Sequence, residues 1–99
     1  MYTLDSGIEL NKEFPDVFFI PEKEEKNKLK QNDTVKLIFR EDGQVERMWV
    51  LIKKEPQLKD NILYFTGELH NEPYGLETIK FGDIVNFTED HIIDIESTQ

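Results

Sequence analysis

The stretch Gln44-Val45-Glu46-Arg47-Met48-Trp49-Val50-Leu51-Ile52-Lys53-Lys54 decides how the chain is read. Met48 to Ile52 are apolar without a break, and the stretch holds the only tryptophan. Side chains of a strand alternate between faces, so Met48, Val50 and Ile52 point one way and Trp49 and Leu51 the other. A strand apolar on both faces belongs inside a sheet or barrel wall, not at its edge. This is the expected central strand, with Trp49 as a core residue.

Upstream, Thr34 to Arg40 alternates, with Val35, Leu37 and Phe39 on one face. Between the two runs lies Glu41-Asp42-Gly43-Gln44, whose Asp-Gly pair is a strong short-range hairpin signal. Downstream, residues 55–61 are expected to turn, because Pro56 cannot continue a central strand. Ile62 to Leu69 reads as the next strand, with Leu63, Phe65 and Leu69 on one face. Gly67 within it marks a bulge or a sharp bend. Ile84 to Phe87 and His91 to Ile95 are two further short strands, and Val17 to Ile20 a short first one.

Pro21 opens an expected helix over 22–30, with glutamates first and lysines last, as the helix dipole favours. Leu29 is its only large aliphatic residue, so it is a surface helix with a solvated charged face. Residues 1–16 show no sustained periodicity and read as an N-terminal arm. Residues 17–95 form the single β-rich domain and 96–99 a tail.

Leu29-Lys30-Gln31-Asn32-Asp33-Thr34-Val35-Lys36-Leu37 resembles Ile79-Lys80-Phe81-Gly82-Asp83-Ile84-Val85-Asn86-Phe87. In each, an aliphatic anchor precedes a turn at which Asn or Gly takes positive φ. An aspartate then accepts backbone N–H groups, and a strand follows.

With 99 residues the chain is expected to make one domain, and 37% hydrophobic content with 11% aromatics indicates a folded one. Its net charge of −9 repels phosphate backbones, which argues against nucleic-acid binding and suits a basic protein partner. The absence of cysteine excludes disulfides, thiolate metal sites and cysteine nucleophiles. Met1 to Gly7 lacks the features of a signal peptide, and no apolar window approaches the ~18 residues of a membrane span. A cytoplasmic protein without membrane contact is expected.

Several stretches resemble a bacterial family known as domain of unknown function 2314. They are Phe18-Phe19-Ile20-Pro21, Leu29 to Phe39, Glu46-Arg47-Met48-Trp49-Val50, Phe65-Thr66-Gly67-Glu68-Leu69, Asn71-Glu72-Pro73, Gly82 to Phe87, and Ile92-Ile93-Asp94-Ile95. Where that family usually has Gly, this chain has Asn32, which adopts the same backbone conformation. The resemblance brings no activity or catalytic residues with it. A more distant resemblance links the chain to bacterial immunity proteins with a comparable Trp-containing strand.

The residues with recognition chemistry are Trp49 and the loop residues His70, Asn71, Glu72 and Tyr74, since loops carry function disproportionately. The same loop also reads as a structured turn shaped by Asn71 and Pro73. Glu89, Asp90, His91 and Asp94 are oxygen-rich with one imidazole but match no metal motif, so no metal and no cofactor are expected. There is no nucleophile elbow, phosphate loop or dinucleotide fingerprint, and nothing sets His70 or His91 beside a nucleophile. No enzymatic activity is expected.

Together these readings predict a mainly β fold: a small, antiparallel, partly open SH3-like barrel of about five strands with one short α-helix. The leading functional expectation is a noncatalytic protein-interaction module, immunity- or antitoxin-like. The alternative is a small-molecule or metal-binding domain using the 70–77 loop.

Overall fold

The Asp42-Gly43 turn forms as its sequence dictates. Both residues take positive φ, 50° and 82°, and close a two-residue hairpin between β2 (Thr34–Glu41) and β3 (Gln44–Ile52). This hairpin sits in the sheet of a computed structural model that describes residues 1–96, so residues 97–99 of the expected tail lie outside the described residues.

In chain order the elements are β1 (Thr3–Leu4), α1 (Gly7–Glu13), α2 (Lys23–Asn27), β2, β3, β4 (Gln57–Lys59), β5 (Ile62–Leu69), β6 (Ile84–Thr88), a 3-10 turn (Glu89–His91) and β7 (Asp94–Ile95). All strand pairs are antiparallel. β3 lies between β2 and β5, as expected of the central strand; β1 and β7 border β2, and β6 borders β5. The sheet curls into a half-barrel, and the molecule measures 33 × 32 × 31 Å.

The curl is set where β3 hands over to β4. Ile52 pairs with Gly67 and Gln57 with Tyr64, so the β3–β4 side takes five steps while β5 takes three. The surplus residues, including Pro56, bulge and bend the sheet. Gly67 sits at the bend: a Cβ there would lie 2.6 Å from Val50 Cγ1 and 2.8 Å from the Leu51 carbonyl oxygen. Only glycine allows the strands to approach so closely.

The concave face holds the core. Val35, Leu37 and Phe39 meet Met48, Val50 and Ile52, then Phe65, Leu69, Val85 and Phe87. Cross-strand partners Phe65 and Phe87 stack with centroids 5.1 Å apart. The two similar nine-residue stretches form matching turns. Asn32 (φ 80°) and Gly82 (φ 91°) each donate N–H at 2.8 Å to the last residue of a neighbouring strand, Ile52 and Leu69. Ile52 and Leu69 donate back to Asp33 and Asp83, both at 2.9 Å. The Asp33 and Asp83 carboxylates accept the N–H groups of Lys30 and Lys80, while Leu29 and Ile79 anchor the turns in the core.

Several expectations are corrected. Among the described residues the sheet has seven strands rather than about five, the extra ones being short pairings of two or three residues, and there are two α-helices rather than one. Residues 1–16 are not an irregular arm: Ser6 caps α1 by accepting the Glu9 N–H at 3.0 Å. Residues 17–20 form no strand: Val17 and Phe18 donate their N–H groups back to the Phe14 carbonyl in a turn after α1, and the segment then crosses the outer face of the β2–β3 hairpin. Val17 and Phe19 are accordingly exposed.

The expected helix over 22–30 spans only Lys23–Asn27, and its charged face is not wholly solvated. Lys26 is 3% exposed and Lys23 pairs with Glu89. Residues 55–61 contain β4, joined to β5 by a turn with positive φ at both Asp60 and Asn61. The last expected strand is divided, His91 belonging to the 3-10 turn and only Asp94–Ile95 pairing with β2. Trp49 is not core: the inward positions belong to Met48, Val50 and Ile52, which leaves it partly buried on the outer face.

Candidate functional site

β5 pairs with only the last three residues of β3, Val50 to Ile52. The remaining edge of β3 is followed by the loop 70–79. His70 donates its N–H to the Trp49 carbonyl at 2.9 Å, and the Asn71 carboxamide oxygen accepts the Trp49 N–H at 2.5 Å. Asn71 thus acts as a substitute strand residue, a role open to a side chain with both donor and acceptor groups.

Farther along, the loop crosses the hairpin end of the barrel, where Glu41 and Glu46 occupy inward-facing positions of their strands. Glu46 accepts the N–H groups of Tyr74 (2.8 Å), Gly75 (2.6 Å) and Leu76 (3.2 Å). Glu41 accepts those of Glu77 (3.3 Å) and Thr78 (3.2 Å), and the Thr78 hydroxyl at 2.9 Å. Five consecutive backbone donors therefore end on two carboxylates. Leu76 and Ile79 enter the core between them and close the barrel end.

Burial alone would raise the pKa of Glu46, but the three backbone donors outweigh it and hold the carboxyl below the usual range. Glu41 behaves likewise: burial pushes up, the Thr78 and Glu77 donors pull down, and the net direction is down. Both side chains are thus carboxylates at neutral pH, as charge-assisted acceptors must be.

The expected site residues do not converge equally. Trp49, His70 and Asn71 are joined through backbone bonds. The Lys36 ammonium lies 4.5 Å from the Trp49 ring centroid on the outer face. The His70 ring stacks on Phe81, centroids 5.4 Å apart, with Nε2 3.3 Å from Glu68 Oε1. Glu72 is exposed, and Tyr74 is 97% exposed. Sequence reading missed Glu41 and Glu46, which hold the loop. Their signal was an acid at an inward position of each hairpin strand near its turn.

The acid-rich C-terminal group is committed to other partners. Asp90 accepts the Ser6 hydroxyl, Glu89 accepts the Leu63 N–H as well as Lys23, and Asp94 accepts the Ile95 N–H. His91 accepts the Thr88 N–H through Nδ1 at 3.0 Å. Burial lowers the His91 pKa, and nearby Asp90 only partly offsets this. Among the described residues no helix is long and apolar enough to cross a membrane.

No curated protein and no solved structure matches this chain. A family model described as an uncharacterized protein conserved in bacteria, domain of unknown function 2314, matches residues 7–98, which takes in α1 and every later element. On that match the chain belongs to the DUF2314 family.

Proposed function

We propose that the domain is a noncatalytic protein-interaction module for a basic partner, in the manner of an immunity or antitoxin protein. One observation carries this reading: Tyr74, 97% exposed, projects from a loop whose backbone is fixed by Glu46 and Glu41. A large apolar side chain held out in water by a rigid backbone loses little conformational freedom on binding, and tyrosine is enriched among binding hot spots. Exposed Glu72 and Glu77 flank it, and the net charge of −9 steers a cationic partner towards the chain.

The test is calorimetric titration with purified basic proteins encoded beside this gene, at low and at physiological ionic strength. Binding should weaken with salt, and Tyr74→Ala should weaken it about tenfold or more. Equal binding by wild type and Tyr74→Ala would remove the basis for this reading.

A further inference from the structure

β6 pairs with β5 along one edge, and among the described residues no strand pairs with its other edge. Thr88 donates its N–H to His91 Nδ1, away from β5. Backbone groups of an antiparallel strand alternate between edges with period two, so those of Asn86 and Ile84 point the same way as Thr88. Among the described residues, no protein group takes the Ile84 or Asn86 N–H. This is an unpaired row of donors and acceptors on a five-residue strand.

The residues along it lack the usual protection. Open edges are commonly blunted by lysine, proline, bulges or very short strands. Ile84-Val85-Asn86-Phe87-Thr88 has no charged residue and no proline. The other border strands are shorter: β1 and β7 have two residues each, and β4 has three, including Lys59. Beside β6, Ile84 is 57% and Tyr64 42% exposed. A cleft of about 460 Å³ runs over β5 from Lys54, Glu55 and Gln57 to Asn86, and reaches the β6 edge at Thr88 and His91.

We infer that the β6 edge receives an extended segment of a basic protein partner by β-strand addition, with Lys or Arg flanking the paired residues. Such addition takes affinity from backbone hydrogen bonds and specificity from alternate side chains. Charge selects the occupant. Asp83 precedes the strand and Asp90 follows it, both half-buried, while Glu89 is buried and taken by Lys23; with −9 on the whole chain, cationic flanks on the incoming segment are favoured. A second copy is a poor occupant, because each chain carries −9. The inference rests on the reading of the domain as a module for a basic protein and adds how the partner's backbone engages it.

The probe is an acetylated, amidated hexapeptide of alternating Thr and Val with Lys at both ends, compared with the same peptide bearing Glu ends. Amide exchange is followed by NMR on the full chain. The Lys-ended peptide should slow exchange at Ile84 and Asn86, and the Glu-ended one should not. Asn86→Pro deletes an outward donor without removing a ladder bond, so the fold should persist while binding falls about tenfold or more. Asn86→Ala, which loses the side-chain contact to Thr66 but keeps the N–H, should bind as wild type.

Unchanged exchange with the Lys-ended peptide overturns the inference, as does equal protection by the Glu-ended one. Protection that rises with protein concentration without peptide assigns the edge to a second copy and also overturns it. Tyr74-dependent binding of a whole basic protein would survive any of these results, so the two readings fail separately.

Discussion

Glu46 and Gly75 lie 29 positions apart in sequence, yet the Glu46 carboxylate accepts the Gly75 N–H at 2.6 Å. The same carboxylate takes the N–H groups on either side, from Tyr74 and Leu76. An inward-facing acid at the end of a strand thus substitutes for the sheet partner that the loop lacks. Glu46→Ala should lower stability by about 2–3 kcal/mol, since it leaves three donors without their charged acceptor. Glu46→Gln, which keeps one acceptor oxygen but loses the charge, should cost about 1 kcal/mol. Denaturant unfolding of the two variants beside wild type measures both.

The pH dependence follows from the same contacts. Glu41, Glu46 and Glu89 each have a folded pKa below the ordinary value, because their donors outweigh burial. A carboxyl of this kind binds a proton more readily in the unfolded chain, so its stabilisation is complete above about pH 4.3 and lost as pH falls through the folded value. His91, whose pKa burial lowers, acts in the same direction from about pH 6.5 downward, because the unfolded chain takes up its proton first. Melting temperature should decline gently below about pH 6.5 and steeply below about pH 4.3, and Glu46→Gln should flatten the steep limb. A melting temperature constant from pH 7 to pH 3 would contradict this assignment.

Gly67→Ala should cost about 3 kcal/mol or more, because the new methyl group meets the Leu51 carbonyl oxygen at 2.8 Å and backbone cannot step aside. Gly43→Ala has open space around it and should cost only the positive-φ penalty of about 1 kcal/mol. Thermal unfolding of the pair separates steric from conformational cost.

Trp49→Ala should cost about 2 kcal/mol, below the 3–5 kcal/mol typical of a fully buried aromatic, because the ring is only partly covered and has Lys36 above it. Its emission should respond to a water-soluble quencher in the native state. Emission shielded from quencher, with a loss near 5 kcal/mol, would return Trp49 to the core.

These outcomes also show which features were legible in the chain. Strong local chemistry was: Asp42-Gly43 fixed the hairpin, period-two alternation fixed the inward set from Val35 to Ile52, and the matching Asn32-Asp33 and Gly82-Asp83 turns were visible as a repeat. Long-range pairing was not. Trp49 on a central strand reads as core, yet nothing in the local sequence says which face of that strand is covered. The loop residues Asn71 and Tyr74 were visible as unusual, but their anchors come from another hairpin, 22 and 28 positions away, a separation that no local pattern encodes. The helix at Gly7–Glu13 had a usable signal in Ser6-x-x-Glu9, hidden by the lack of an apolar stripe.

Tyr74 is presented rigidly only if its loop is held as firmly as a strand, and amide hydrogen exchange of residues 74–78 tests that directly. Five consecutive N–H groups bonded to Glu46 and Glu41 should be protected to a degree comparable with Val50 and Gly67, and Glu46→Ala should release Tyr74, Gly75 and Leu76 first. Exchange of all five at the rates of a free peptide would contradict the clamp, and with it the rigid presentation of Tyr74.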